Sequence, residues 1–249
     1  MKRFIALVFL FLSLNLLGGE IIVAAAANTQ YAMEEIKKAF EKKKGIKIKF
    51  VISSSGKLTA QIKNGAPFDI FLSANMKYPL YLYKSGFSLN KPDIYAYGSL
   101  VLWTLKPKKV DVEKGIKVLT SRNVKKAAIA NPKNAPYGFE ALKALKNAKI
   151  YKEVKNKLIY GESISQTNQY IVSKAVDVGI TAKSVVLSPK MMNRGKYVPI
   201  ETSLYDPIKQ GVVILKNANK HFKEVKMFYD FLFEREAKEI FEKFGYEVL

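Results

Sequence analysis

Apolar residues along this chain switch repeatedly between two spacings. Residues 20–27, EIIVAAAA, are apolar almost without interruption, as in a strand buried on both faces. From residue 28 the spacing lengthens. Met33, Ile36 and Phe40 share one helical face, Asn28 or Thr29 is the capping candidate, and Gly45 marks the end. IKIKFVI (46–52) then alternates as a strand does. SSSGKLTAQIKNG (53–65) predicts a turn and a helix, with Leu58 and Ile62 one turn apart and Gly65 as terminator, and FDIFLSA (68–74) is a third apolar strand. Strand, helix, strand, helix, strand in that order predicts an open α/β sheet.

The pattern repeats further on. YGSLVLWTL (97–105) predicts one long strand. KKAAIA, a helix from Phe139 to about Asn147, NKLIYGE, a helix from about Ile164 to Lys174, and AVDVGITA give a second α/β unit. GVVILK (211–216) adds a strand, and the C-terminus reads as helical, with Val225, Phe228 and Leu232 on one face and Ile240, Phe241 and Phe244 on another. Two such units with a C-terminal return predict two lobes around a cleft, and ligands of open α/β sheets sit beyond the carboxyl ends of the strands. The expected division is 20–97 plus 208–249 for lobe one and 98–207 for lobe two, with crossings near 97–99 and 207–210.

Ahead of these lobes, MKR followed by FIALVFLFLSLNLLG has the charge and apolar run of an export signal, and LGG supplies small residues for cleavage. Residues 1–19 are therefore expected to be removed, leaving an exported, periplasmic protein. There is no cysteine, which excludes disulfides, thiolate chemistry and lipid attachment at a cysteine, and His221 is the one histidine, which excludes a His-rich metal site. The formal charge is +21. Its lysines are scattered beside acidic residues on helix faces, as in EEIKKAFEKKKG, and so predict a solvated surface with weak steering of anions.

Four loop-to-helix junctions stand out: AAAANT (24–29), SSSGKL (53–58), NAPYGF (134–139) and ESISQT (162–167). The first turn of a helix has N–H groups without intrahelical partners and a partial positive charge, so anions bind there. A fully deprotonated tetrahedral dianion accepts hydrogen bonds and donates none, so its site needs N–H and O–H donors and no acceptor. Phosphate keeps a proton near neutral pH and calls for a carboxylate, which these loops do not obviously offer. Burial of a dianion without counter-charge requires nearly every oxygen to be hydrogen-bonded; charge-assisted bonds contribute about 1.5–3 kcal/mol each.

On the stretches AAAANTQYAMEEIKKAF, SSSGKLTAQIKNGAPFDIFLSAN, YGSLVLW, IANPKNAPYGFEAL, VDVGITAKS and AKEIFEKFGY, the chain resembles the periplasmic molybdate-binding proteins, solute-binding components of molybdate ABC transporters. The resemblance implies a two-lobed periplasmic-binding-protein fold of type II and a ligand, molybdate or tungstate, bound as an oxyanion without direct metal coordination. It implies no enzyme activity and no cofactor, a membrane permease as partner, no nucleic acid, and a monomer. It places Ser55 as a donor through Oγ and backbone N–H, Asn28 at a first-loop position where one branch has serine, and Tyr137 and Ile164 as backbone N–H donors. Ala27 is adjacent. It departs from one branch at Ala182, where that branch has a ligand-reaching tyrosine; the Asn28 side-chain amide is expected to supply donors instead. Glu162 is expected to turn its carboxylate away, toward solvent or a lysine.

Other readings remain open at this level. A sulfate or phosphate receptor would use the same fold. A Ser-His-Asp hydrolase could use only His221, which falls at a polar helix start and is expected to be exposed. Tyrosines interleaved with lysines at 78–84 would suit nucleic acid, but Tyr81 and its neighbours are expected to pack a helix face.

Overall fold

The computed structural model describes residues 20–107 and 109–248; the leader expected at 1–19 lies outside them. In chain order the elements are β1 (Ile21–Ala26), α1 (Gln30–Lys44), β2 (Ile48–Ser53), α2 (Ser55–Lys63), β3 (Ile70–Ser73), α3 (Lys77–Lys84), β4 (Asp93–Gly98) and β5 (Leu100–Thr104). Then come β6 (Ala127–Ala130), α4 (Pro136–Asn147), α5 (Tyr151–Val154), β7 (Leu158–Gly161), α6 (Ile164–Val172), β8 (Val178–Ala182) and α7 (Lys183–Val186). The chain ends with β9 (Lys196–Pro199), β10 (Ile208–Ile214), α8 (Phe222–Phe231) and α9 (Arg235–Lys243). Short 3-10 turns lie between, one of them at Ala27–Thr29.

The strands form two five-stranded sheets, ordered β2-β1-β3-β10-β4 and β7-β6-β8-β5-β9. In the first, β1 is parallel to β2 and β3, while β10 is antiparallel to β3 and β4. In the second, β6 is parallel to β7 and β8, and β5 is antiparallel to β8 and β9. Each sheet with its helices makes one α/β lobe. The chain passes between lobes at Ser99 and returns in the segment between Pro199 and Ile208. Ile208 pairs with Gly98, so the two crossings lie side by side.

Period-two alternation explains how the first sheet is covered. Ile21, Val23 and Ala25 of β1 face Met33, Ile36 and Phe40 of α1 and Phe228, Phe231 and Phe241 of the C-terminal helices. Ala24, one residue out of phase, faces Leu58 and Ile62 of α2 and Leu82 of α3 on the opposite side. Helix α1 stops at Gly45, whose φ of 70° is left-handed and whose N–H reaches the carbonyl of Glu41. The second sheet buries Leu100, Leu102 and Trp103 of β5 with Ala128, Ile129 and Ile180 in one continuous core. Among the described residues, no helix is long and apolar enough to cross a membrane.

Several expectations change. The stretch 97–105 is not one strand: its two halves belong to different sheets, joined at Ser99. Local apolar pattern cannot distinguish a strand that continues from one that changes sheet. The edge strand β9 carries little apolar burial and left no such signal. Tyr81 is 42% exposed, with Lys63 Nζ 5.4 Å from its ring centre, while Leu82 beside it is buried. His221 is not simply exposed either. Its Nε2 lies 3.2 Å from Oδ2 of the buried Asp69.

Candidate functional site

The carboxyl ends of the parallel strands in both sheets point into the cleft, and the turns leaving them make one small cavity. It is lined by Ala26 at the end of β1, Ala27 and Asn28 just after it, Ser54 and Ser55 after β2, Ala74 after β3, Ala135, Pro136 and Tyr137 at the start of α4, and Ile164 at the start of α6. Asn28, Ser55, Tyr137, Ile164 and Ala27, the five residues singled out from sequence, thus meet at one place from four separate segments. About 190 Å³ of atom-free space lies among these residues, part of it open to solvent. Four alanines in its wall leave that space open. A larger groove lined by Lys109, Lys114 and Lys117 lies within lobe two alone, away from these turns.

Tracing each first-turn N–H shows which donors are spent inside the protein. In α2, Gly56 N–H donates across the cleft to the carbonyl of Asn134 at 2.9 Å, Lys57 N–H to Ser54 Oγ at 3.4 Å, and Leu58 N–H to the carbonyl of Ser54. The Ser55 N–H is left over. In α4, Pro136 has no N–H and Phe139 N–H reaches Ala135, which leaves Tyr137 and Gly138. In α6, Gln166 N–H goes to Ser163 Oγ and Thr167 N–H to the Ser163 carbonyl, which leaves Ile164 and Ser165. The 3-10 turn opens with Ala27 and Asn28, whose N–H groups likewise have no acceptor within the turn. Side-chain capping by Ser54 and Ser163 takes the third N–H of its helix and spares the first.

Ser55 is fully buried, and its Oγ accepts from the backbone N–H of Ala74 at 3.0 Å. Its hydroxyl proton remains to be donated. Asn28, also buried, behaves differently from expectation. Its side-chain amide gives one N–H to Gln210 Oε1 at 2.8 Å and the other to the Tyr246 hydroxyl at 2.9 Å. It neither caps α1 nor has a side-chain N–H to spare for a ligand, so its available donor is the backbone N–H. Thr29 does not cap either; its hydroxyl donates to the Ala26 carbonyl at 2.7 Å. Ala182 is buried at the end of β8 and is not part of the cavity wall.

No carboxylate, lysine or histidine lines the cavity. Tyr137 is its one titratable residue, and burial, then the neighbouring phenols of Tyr246, Tyr95 and Tyr205, hold its phenol well above the ordinary value, so it stays neutral. That hydroxyl points away to the crossing: a Cβ on Gly98 would sit 1.9 Å from it. It lies near Asn28 and Tyr246 yet makes no hydrogen bond. Burial likewise pushes Tyr246 up to about 12, against the lowering effect of its hydrogen bonds with Ser184 and Asn28. Two residues from Ser55 and from Ile164 along the chain, Lys57 Nζ of lobe one meets Glu162 Oε2 of lobe two at 2.5 Å at the rim. The Glu162 carboxylate thus faces a lysine, as anticipated. Gln210, Tyr246, Ser184 and Ala74 escaped sequence reasoning, because nothing local marks a residue whose role is to hold another.

Such a site offers N–H and O–H hydrogens and little else, a chemistry suited to a small tetrahedral anion without protons of its own. The chain is similar to known proteins over nearly all of its described length. The profile of the bacterial extracellular solute-binding proteins matches residues 21–247. The molybdate-binding protein ModA of Rhodobacter capsulatus is 37% identical over 236 residues, covering 94% of this chain and 91% of the relative. ModA of Azotobacter vinelandii is 36% identical, covering 92% and 90%. The solved periplasmic molybdate-binding protein of Azotobacter vinelandii superposes with a TM-score of 0.86 at 29% identity, covering 92% of this chain and 99% of that one. A sulfate-binding protein of Mycobacterium tuberculosis, SubI, shares the fold at 14% identity with a TM-score of 0.76. The fold is the two-lobed periplasmic-binding-protein fold of type II, and the chain belongs to the bacterial extracellular solute-binding proteins and, within them, to the ModA family.

Proposed function

We propose that this protein captures molybdate, and tungstate with it, in the cavity between the lobes and presents it to the permease of an ABC transporter. The observation that carries the reading is the convergence of unspent donors. Ser55 supplies Oγ–H and N–H, Tyr137 and Ile164 supply N–H from lobe two, and Asn28 and Ala27 supply N–H from lobe one. Six donors of this kind, at about 1.5–3 kcal/mol for each charge-assisted bond, offset the desolvation of a dianion that no cation neutralises. Donors from both lobes complete the set only when the lobes are together, so binding and closure are one equilibrium.

The protein acts as a periplasmic monomer once residues 1–19 are removed, and does no chemistry on its ligand. Lobe one comprises 20–97 plus 208–249 and lobe two 98–207. Sulfate is the nearest competitor, since it is equally free of protons and smaller; the size of the closed cavity selects between them. Titration calorimetry of the mature protein with molybdate, tungstate, sulfate and phosphate tests the reading. Molybdate and tungstate are expected to bind at least a hundredfold more tightly than sulfate, about 2.7 kcal/mol. A preference for sulfate or phosphate would overturn it.

A further inference from the structure

Behind the cavity wall a buried polar cluster gathers around Asn28. The Asn28 carbonyl accepts from Ser184 Oγ at 2.8 Å and from the Tyr246 hydroxyl at 2.9 Å, and these two oxygens lie 3.1 Å apart. The Asn28 side chain donates to that same Tyr246 hydroxyl and to Gln210, whose own amide N–H goes to the Ile208 carbonyl. Residue 28 is therefore held from its carbonyl and its side chain at once. The holders come from three places: Gln210 from the returning crossing strand β10, Tyr246 from the segment after α9, and Ser184 from α7 of lobe two. All four side chains are nearly fully buried, with exposures of 0–4%.

We propose that Ser184 is a positioning residue that couples lobe closure to the anion site: docked under the ligand loop, its hydroxyl anchors the Asn28 carbonyl and so holds in place the turn that carries the Ala27 and Asn28 N–H groups. This rests on the reading of the cavity as an oxyanion site. Ser184 does not line the cavity, and of the hydrogen bonds from Gln210, Tyr246 and Ser184 that hold Asn28, the Ser184 one comes from lobe two. The segment just after Ala182, which offers no ligand donor of its own, thus serves the ligand indirectly. A bond that forms only when the lobes meet adds to the lifetime of the closed form and leaves the encounter with the open form unchanged.

Stopped-flow kinetics and calorimetry on Ser184→Ala, with sodium molybdate as probe, test this. Release is expected to be about three- to tenfold faster, with the association rate and the melting temperature of the ligand-free protein unchanged. Tyr246→Phe, which removes a hydroxyl shared by both lobes, should speed release as well, and the double variant should fall short of the sum of the two effects. Unchanged release by Ser184→Ala, or faster release only alongside a lower ligand-free melting temperature, would overturn the coupling role. Parallel runs with sulfate and phosphate separate the two ideas. If the wild type prefers one of those anions, the ligand assignment fails, and the same comparison is read with that anion. Failure of the wild type to bind any of them sinks both.

Discussion

The backbone N–H of Ala74 donates to Ser55 Oγ at 3.0 Å, and this bond uses the Ser55 oxygen as an acceptor without using its proton. With one lone pair engaged from the β3 side, the O–H stays free to donate into the cavity beside the Ser55 N–H. Ser55→Ala removes that donor and leaves the Ala74 N–H without its partner. Molybdate affinity should fall at least tenfold, roughly 1.4 kcal/mol or more, as read by calorimetry. Unchanged affinity would remove the donor cage from consideration.

The rim pair Lys57–Glu162 should matter far less. Both groups are well exposed, 43% and 62%, and such pairs contribute about 0–1 kcal/mol. Glu162→Gln is expected to change molybdate affinity by no more than about fivefold, with the difference fading as salt is added. A much larger gain on neutralisation would mean that the carboxylate faces the anion in solution.

Gly98 lies where the chain leaves lobe one, under the phenol of Tyr137. A Cβ there would come within 1.9 Å of the hydroxyl and 3.0 Å of Cζ. Gly98→Ala should therefore displace Tyr137, at a cost of about 1–3 kcal/mol, and weaken binding by moving the Tyr137 N–H. Adding Tyr137→Phe, which removes the clashing oxygen, should restore part of both. Thermal melts and calorimetry on the single and double variants check it.

The buried phenols set the alkaline limit. Burial raises the Tyr246 pKa from its ordinary value near 10 to about 12, so the folded form keeps a proton that the unfolded form loses. Its contribution to stability is complete below about pH 10 and is lost as pH rises from there through about 12, roughly 2–3 kcal/mol in all. Denaturant melts from pH 8 to 11 should show the onset of this decline, and phenolate absorbance should report tyrosines that ionise late. No group in the cavity wall titrates near neutrality, so molybdate affinity should be flat from about pH 6 to 9.

Asp177, at the foot of β8, offers a stability test remote from the cavity. Burial opposes its ionisation, yet the ammonium of Lys109 at 2.7 Å, the N–H groups of Lys125 and Lys126, and the ammonium of Lys106 outweigh that and hold it well below the usual carboxylate range. Its contribution is present above the unfolded pKa, near 4, and is lost as pH falls through the lower folded value. Asp177→Asn should destabilise lobe two by about 2–3 kcal/mol in urea melts at pH 7, with molybdate affinity little changed.

The sequence by itself determined the local units and the places where donors would collect. The 3.6-residue spacing of Met33, Ile36 and Phe40 and the unbroken apolar run of β1 depend only on neighbours along the chain, as does the first-turn excess of N–H groups at Ser55, Tyr137 and Ile164. The tertiary structure decided what each group has left to give. The Asn28 amide looked like a ligand donor, but Gln210 and Tyr246, 182 and 218 residues away, consume both of its N–H groups. The run from 97 to 105 looked like one strand, but its halves joined different sheets. Hydrogen-bond capacity is finite and is spent on whichever partner packing brings closest, and a one-dimensional pattern carries no record of partners so far apart.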